Sequence, residues 1–265
     1  MEVFDLLKIT SSLIFFSKAS IDDIKTTEIR DLDVYFFIGV LIFLNILEFL
    51  FLKDWNFLIS LLINASIFGI FGLIMYIAGQ WGLGDSFLLF SFGLLNLFNT
   101  PLEALSFLLL ILAIGAIFTF IYSILFVIST KKFNRLNLIS KISMLISLAL
   151  LLSFFYFIKL AETFFSLIIF LVFLYFSLPF LSEVKNLMIR KVKISELKEG
   201  DVLLDFKVWR GITKEEIEEL KKKGIKYVFV KEGVRYAPTF LFSLILLIYE
   251  KIFEIKTNIL FFFTL

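Results

Sequence analysis

The sequence predicts an all-α polytopic membrane protein with a small α/β module near its C-terminus. Three observations predict it. Sixty per cent of the 265 residues are hydrophobic and 37 are Phe, giving a mean hydropathy of +0.98, well outside the make-up of soluble domains. Several apolar runs reach the roughly 20 residues that cross a bilayer core. Charged residues gather in a few segments, chiefly 182–237.

In chain order, the first apolar stretch, 3–21, is broken by Asp5, Lys8 and Lys18 and reads as a weak spanning helix. No basic region precedes it, so it is expected to be retained and not cleaved as a signal peptide. A charged loop follows from Asp22 to Asp31, then a second helix over 34–52. Lys53-Asp54-Trp55 reads as a tight turn with an interfacial Trp. Helix three covers 57–78, and the glycine-rich break 79–84 separates it from a short fourth helix, 86–98. Helix five, 102–129, is long enough to tilt. Helices six (142–158) and seven (164–181) are joined by a link at 159–162.

The polar segment opens on an alternating strand at 190–194. Thr213 and Glu216 have capping-box spacing, Gly224 is placed to end the helix they start, and 225–230 reads as a second strand. Pro238 opens an eighth apolar stretch, 239–249, and 258–265 is expected at an interface. The division is therefore 1–181 as a transmembrane helical domain of about seven to eight helices, 182–237 as the module, and 238–265 as a C-terminal membrane segment.

Charge orients this arrangement. The loops after helices one and five and the module carry 21 of the 26 basic residues, while the opposite links carry Lys53 and Lys159. The positive-inside rule then puts the module and the 79–84 break on the cytoplasmic side of the cell membrane, with the N-terminus outside.

Cys and His are both absent, which excludes thiolate nucleophiles, Ser/His pairs, disulfides and Cys- or His-based zinc sites. Acid–base chemistry must come from Asp, Glu, Lys or Tyr. Gly82-Leu83-Gly84-Asp85 sets a carboxylate among glycines between two apolar runs, and ionisable residues in such places are usually functional. Asp85 also fits a plain N-cap of helix four. A second acid near Asp23 lies on the same side, with Asp22, Asp31 and Asp33 as rivals. Two close, partly desolvated carboxylates share a proton: one activates water while the other polarises a carbonyl and later protonates the leaving amine.

Asp23-Ile24-Lys25-Thr26-Thr27-Glu28-Ile29 resembles the first-aspartate motif of type IV prepilin and archaeal preflagellin peptidases, and Gly82-Leu83-Gly84-Asp85 matches their GxGD motif. Three stretches near the C-terminus, 198–203, 211–217 and 230–238, are similar to the C-terminal region of archaeal members. GxGD alone is a weak signal, whereas three matches in order span nearly the whole chain. The resemblance implies Asp23 and Asp85 as catalytic acids, and Gly82, Gly84, Lys25 and Glu28 as supports for backbone and substrate. It implies an aspartic endopeptidase that removes the short basic leader of membrane-inserted pilin-like or archaellin precursors. No cofactor, metal or nucleic acid is expected.

The departures matter. Ser86-Phe87 follows the second acid where family members often carry a Lys, a role Lys25 could take. Without the zinc-binding cysteines and methyltransferase region of many bacterial members, proteolysis without methylation is expected. Presenilin-like proteases share GxGD, but their Tyr-Asp and Pro-Ala-Leu motifs do not occur here. A non-catalytic transporter or assembly scaffold is the alternative outside the enzymes. Glu48, Glu103, Glu162 and Glu250 are expected as solvated heads at membrane boundaries, and Asn45, Asn64 and Asn96 as hydrogen-bonding groups between helices.

Overall fold

A computed structural model describes residues 3–27, 29–159 and 163–253. In chain order the described elements are α1 (Val3–Thr26), α2 (Asp31–Leu52), α3 (Trp55–Ile77), α4 (Leu83–Leu95), α5 (Pro101–Ser129), α6 (Leu138–Lys159), α7 (Thr163–Leu187), β1 (Ile189–Lys193), α8 (Lys214–Lys222), β2 (Tyr227–Lys231) and α9 (Ala237–Phe253). Glu28, Glu162 and 258–265 lie outside the described residues.

The chain is a helical membrane protein, but the expected seven to eight spans are not what its helices give. Five described helices, α2, α3, α5, α6 and α7, are long and apolar enough to cross a bilayer. The other three of the bundle fall short for separate reasons. With 13 residues, α4 is roughly 20 Å long against a hydrocarbon core of about 30 Å. Six charged residues interrupt α1: Asp5, Lys8, Lys18, Asp22, Asp23 and Lys25. The described part of α9 has 17 residues.

Two apolar cores share α5. Its first half joins α1 to α4 and α9 around Phe16, Leu41, Phe68, Phe92, Phe107 and Phe240. Its second half, with Phe120 and Val127, packs on the α6–α7 hairpin through Phe173 and Phe180. The module has its own small core, including Val192, Ile212, Ile217 and Val230, beneath an antiparallel pair in which Arg190 faces Val230 and Val192 faces Val228.

The short α4 ends inside the bundle, where freed carbonyls have no water to meet. Two buried asparagines meet them instead. Asn45 on α2 donates to the Leu94 carbonyl (2.8 Å), and Asn64 on α3 donates to Asn96 Oδ1 (2.9 Å) and the Phe98 carbonyl (3.2 Å). Asn96 itself turns the chain with φ +53, which Asn tolerates. The expected hydrogen bonding between helices is thus present.

Glu48 corrects the expectation of a solvated head. It is 3% exposed and accepts from Lys8 Nζ at 2.9 Å; Lys8 is fully buried, with Asp5 at 3.6 Å and the Phe57 ring 5.8 Å away. One charge on each of two helices makes burial tolerable, since each satisfies the other. Glu103 is likewise engaged, accepting from the Asn99 N–H and pairing with Lys251 at 3.1 Å. Glu250 is buried too.

Candidate functional site

The site lies at one end of the bundle, where α1 ends, α4 begins and α9 begins. The sequence put Asp23 in a loop, but α1 continues through Asp22 and Asp23 to Thr26. Lys18 sustains that last turn by pairing with Asp22 at 3.1 Å, one turn ahead, and with Asp33 across the connection to α2. Among the described residues, Asp23 alone of the four aspartates in this region is buried, at 8% exposure. Asp22 and Asp33 are held in ion pairs and Asp31 is exposed.

Asp85 is not the N-cap of α4. Gly82 holds that position in extended backbone, and Asp85 sits three residues in, its carboxylate accepting from the Gly82 N–H at 3.2 Å. The carboxylate thereby serves one of the unpaired N–H groups of the helix start and remains half-buried. Next to it, Ser86 Oγ donates to the Gly72 carbonyl at 2.9 Å and ties α4 to α3.

Asp23 and Asp85 stand close enough for their charges to act on each other. What joins them is the start of α9. The Ala237 N–H donates to Asp23 Oδ2 at 2.9 Å, a bond across 214 residues of chain. The charge of Arg235 reaches Asp23, and Tyr236 lies within reach of the Asp85 charge. Tyr236 is wedged between helices, its ring 5.3 Å from Trp81 and 5.4 Å from Phe240, and its hydroxyl fills the notch at Gly115 of α5, where any Cβ would overlap it. Tyr122 of α5 feels the charges of Arg235, Glu232 and Asp23.

The glycine break is where the module rests. Gly79 has φ +66 and lies so near the Lys207 carbonyl that a Cβ would come within 2.5 Å of it. Gly82 pairs with Trp209 through a parallel bridge, with Trp209 Cδ1 in van der Waals reach. Its own φ of −71 suits any residue, so a bare hydrogen at Gly82 is not demanded by conformation. At Gly84 a Cβ would meet Ile29 at 3.4 Å, so glycine lets the segment after α1 lie close against α4.

The geometry thus gathers Asp23, Asp85, Gly82 and Gly84. It does not bring in Lys25, which is exposed and, two residues on from Asp23, points roughly 200° around the helix from it. Glu28 lies outside the described residues. The cation whose charge reaches Asp23 is Arg235, which reading for motifs did not single out; its signal was the stretch Val230–Pro238, matched as a whole without assigning a role to any residue in it. Among the described residues no group of three or more Asp or Glu is arranged to hold a metal ion. Chemically, the arrangement offers two carboxylates from separate elements, each accepting from an N–H at a helix start, beside a cation and two phenols.

Comparison with known proteins yields no matching family model, no matching curated protein and no matching solved structure.

Proposed function

We propose that the chain is a membrane-embedded aspartic endopeptidase that removes short basic leaders from pilin-like or archaellin precursors at the cytoplasmic membrane face. The observation that carries this reading is the placing of Asp23 and Asp85 at one end of an apolar bundle, with Ile29 just past α1 lying close against Gly84 just before Asp85. Structural ion pairs are made of opposite charges, as at Lys8 and Glu48. Two like charges held together in a desolvated place destabilise the fold, and such strain is kept where chemistry uses it.

In the proposed reaction the ionised carboxylate takes a proton from water as the water oxygen bonds to the scissile carbonyl carbon, and later gives that proton to the leaving amine. The protonated carboxyl gives its proton to the carbonyl oxygen, and on collapse the C–N bond breaks as the amine is protonated. A leader that is charged in water and continues into an apolar helix would present its boundary at the depth of these acids. The half-buried Trp209–Gly82 contact supports a role for the module in holding the GxGD turn.

The test is cleavage of a prepilin-like precursor in membranes by wild type, D23N and D85N at matched folded amounts. Both substitutions keep shape and hydrogen-bonding capacity while removing the carboxylate, so each is expected to lower cleavage by at least about 10³-fold, the loss seen when a member of a catalytic group acting as a unit is removed. Retained activity in either variant overturns the assignment of that acid. A folded wild type that cleaves no leader at all favours the scaffold reading, with the module as its docking surface.

A further inference from the structure

Buried polar side-chain atoms almost always find a partner. Among the described residues, five such atoms have none in the protein: Ser20 Oγ, Asn45 Oδ1, Ser147 Oγ, Arg235 Nε and Thr239 Oγ1. Three of the five flank a single contact. Ser20 lies one turn before Asp23 on the buried face of α1, and Arg235 and Thr239 lie two residues either side of Ala237, whose N–H holds Asp23. The two helices pack against each other. Ser20 is 4% exposed and Thr239 is fully buried, so open solvent does not account for their hydroxyls.

Nor does the usual helical escape. Ser12 on the same helix donates to the carbonyl four residues back (2.7 Å), and Ser243 on α9 does the same (2.9 Å). Ser20, in mid-helix with the same option, does not take it. A buried polar group left without a partner costs about 1–3 kcal/mol each. A guanidinium donor and two hydroxyls left in this state within three residues of the two partners of one helix–helix contact mark where a ligand would be received. Arg235 Nε can only donate, so the ligand must offer an acceptor oxygen.

We propose that Ser20, Arg235 and Thr239 form, with Asp23, a polar subsite that binds a neutral acceptor oxygen: water drawn in from the membrane face, or a main-chain carbonyl of an extended peptide. The subsite as such does not depend on the peptidase reading; only the choice between its two ligands rests on it.

The absence of cysteine makes the test direct. S20C and T239C, each introduced alone into the full chain in membrane vesicles, are treated with a small charged methanethiosulfonate. S147C, at the unpartnered and fully buried hydroxyl of α6 in the other core, is the reference. Thiolate reacts and thiol does not, and each unit by which a dry site raises a thiol's pKa removes tenfold of it, so S20C and T239C should react at least about tenfold faster than S147C. Rates equal to that of S147C overturn the subsite. Slowing of the reaction by a basic-leader peptide assigns the ligand as a peptide carbonyl, and reaction unaffected by it assigns water.

A second measurement covers the case of a misfolded cysteine variant. T239V removes the hydroxyl at nearly constant shape and is expected to leave the melting midpoint unchanged or raised, since no bond within the protein is lost. A fall of several degrees would show a structural partner for that hydroxyl and overturn the proposal. Labelling demands nothing of cleavage. A chain that labels but never cleaves keeps the subsite and loses the peptidase, and one that cleaves but does not label does the reverse.

Discussion

Lys8 shows what a single residue costs and gives in this bundle. Its ammonium has no exposure, and Glu48, on another helix, supplies the charge that makes this tolerable. Removing Glu48 leaves the buried ammonium only the longer contact to Asp5 at 3.6 Å; breaking a buried pair in this way costs about 3–5 kcal/mol, whereas replacing both partners with apolar residues of similar volume is near neutral. E48Q should therefore lower the melting midpoint in detergent by many degrees, and K8M with E48L should recover most of the loss; equal losses in single and double variants would refute the pairing. Glu216, on the module, is the aqueous counterpart. The bidentate Arg210 guanidinium (2.6 and 2.9 Å), with help from the Thr213 N–H, holds its carboxyl at about 2 against an ordinary 4.5. A depressed value means that its contribution to stability is complete above pH 4.5 and is lost as pH falls towards 2. Carboxyl titration by NMR should place the Glu216 midpoint at about 2 in wild type and move it upward in R210Q, and an unmoved midpoint would assign the shift elsewhere.

At the scale of elements, those with local chemistry were legible. Thr213 and Glu216 do form a capping box, Gly224 has φ +70 just past α8, and the three asparagines do bond between helices. The boundaries around both acids were not, because hydropathy reports what a side chain prefers while helix ends are set by backbone partners. Lys18 carries α1 past its charges into Asp23, and Asp85 enters α4 by binding back to Gly82. Nor could periodicity show that Glu48 meets Lys8, a contact 40 residues apart. The same distinction governs glycines. A Cβ at Gly93 would stand 2.6 Å from Ala65 Cα and Asn64 O, backbone atoms that cannot give way, whereas at Gly39 it meets nothing within 4 Å. G93A should destabilise the α3–α4 hairpin by about 1–3 kcal/mol, and G39A should be neutral or stabilise by about 0.5–1 kcal/mol. Equal effects in thermal melts would show that the hairpin's close approach is not what Gly93 serves.

On the scale of the whole molecule, charge and contact agree on which ends belong together. The basic segments are the connection after α1, the turn after α5 and the module. Three contacts gather them. Ala237, just beyond the module, holds Asp23 at the end of α1; Trp209 pairs with Gly82 between α3 and α4; and Lys132 after α5 donates to the Leu187 carbonyl at the end of α7 (2.7 Å). The connections at Lys53 and Thr100 lie at the other ends of the helices they join. Side chains at Lys25, Lys131 and Lys222 are exposed at one end, and those at Lys53 and Thr100 at the other. Since the chain has no cysteine, K25C, K131C, K222C, K53C and T100C can each be probed singly with a membrane-impermeant maleimide in sealed vesicles of either orientation. The first three should react only from the cytoplasmic face and the last two only from the opposite one, because basic residues resist transfer across the membrane. Reaction of K53C and K131C from the same face would mean that α3, α4 and α5 do not alternate as drawn. Asp85 and the module would then stand on opposite sides, and the contact between Gly82 and Trp209 could not exist in the membrane. Labelling that splits as expected but from the reversed faces would keep the fold intact and overturn the proposed cleavage of a charged leader at the cytoplasmic face.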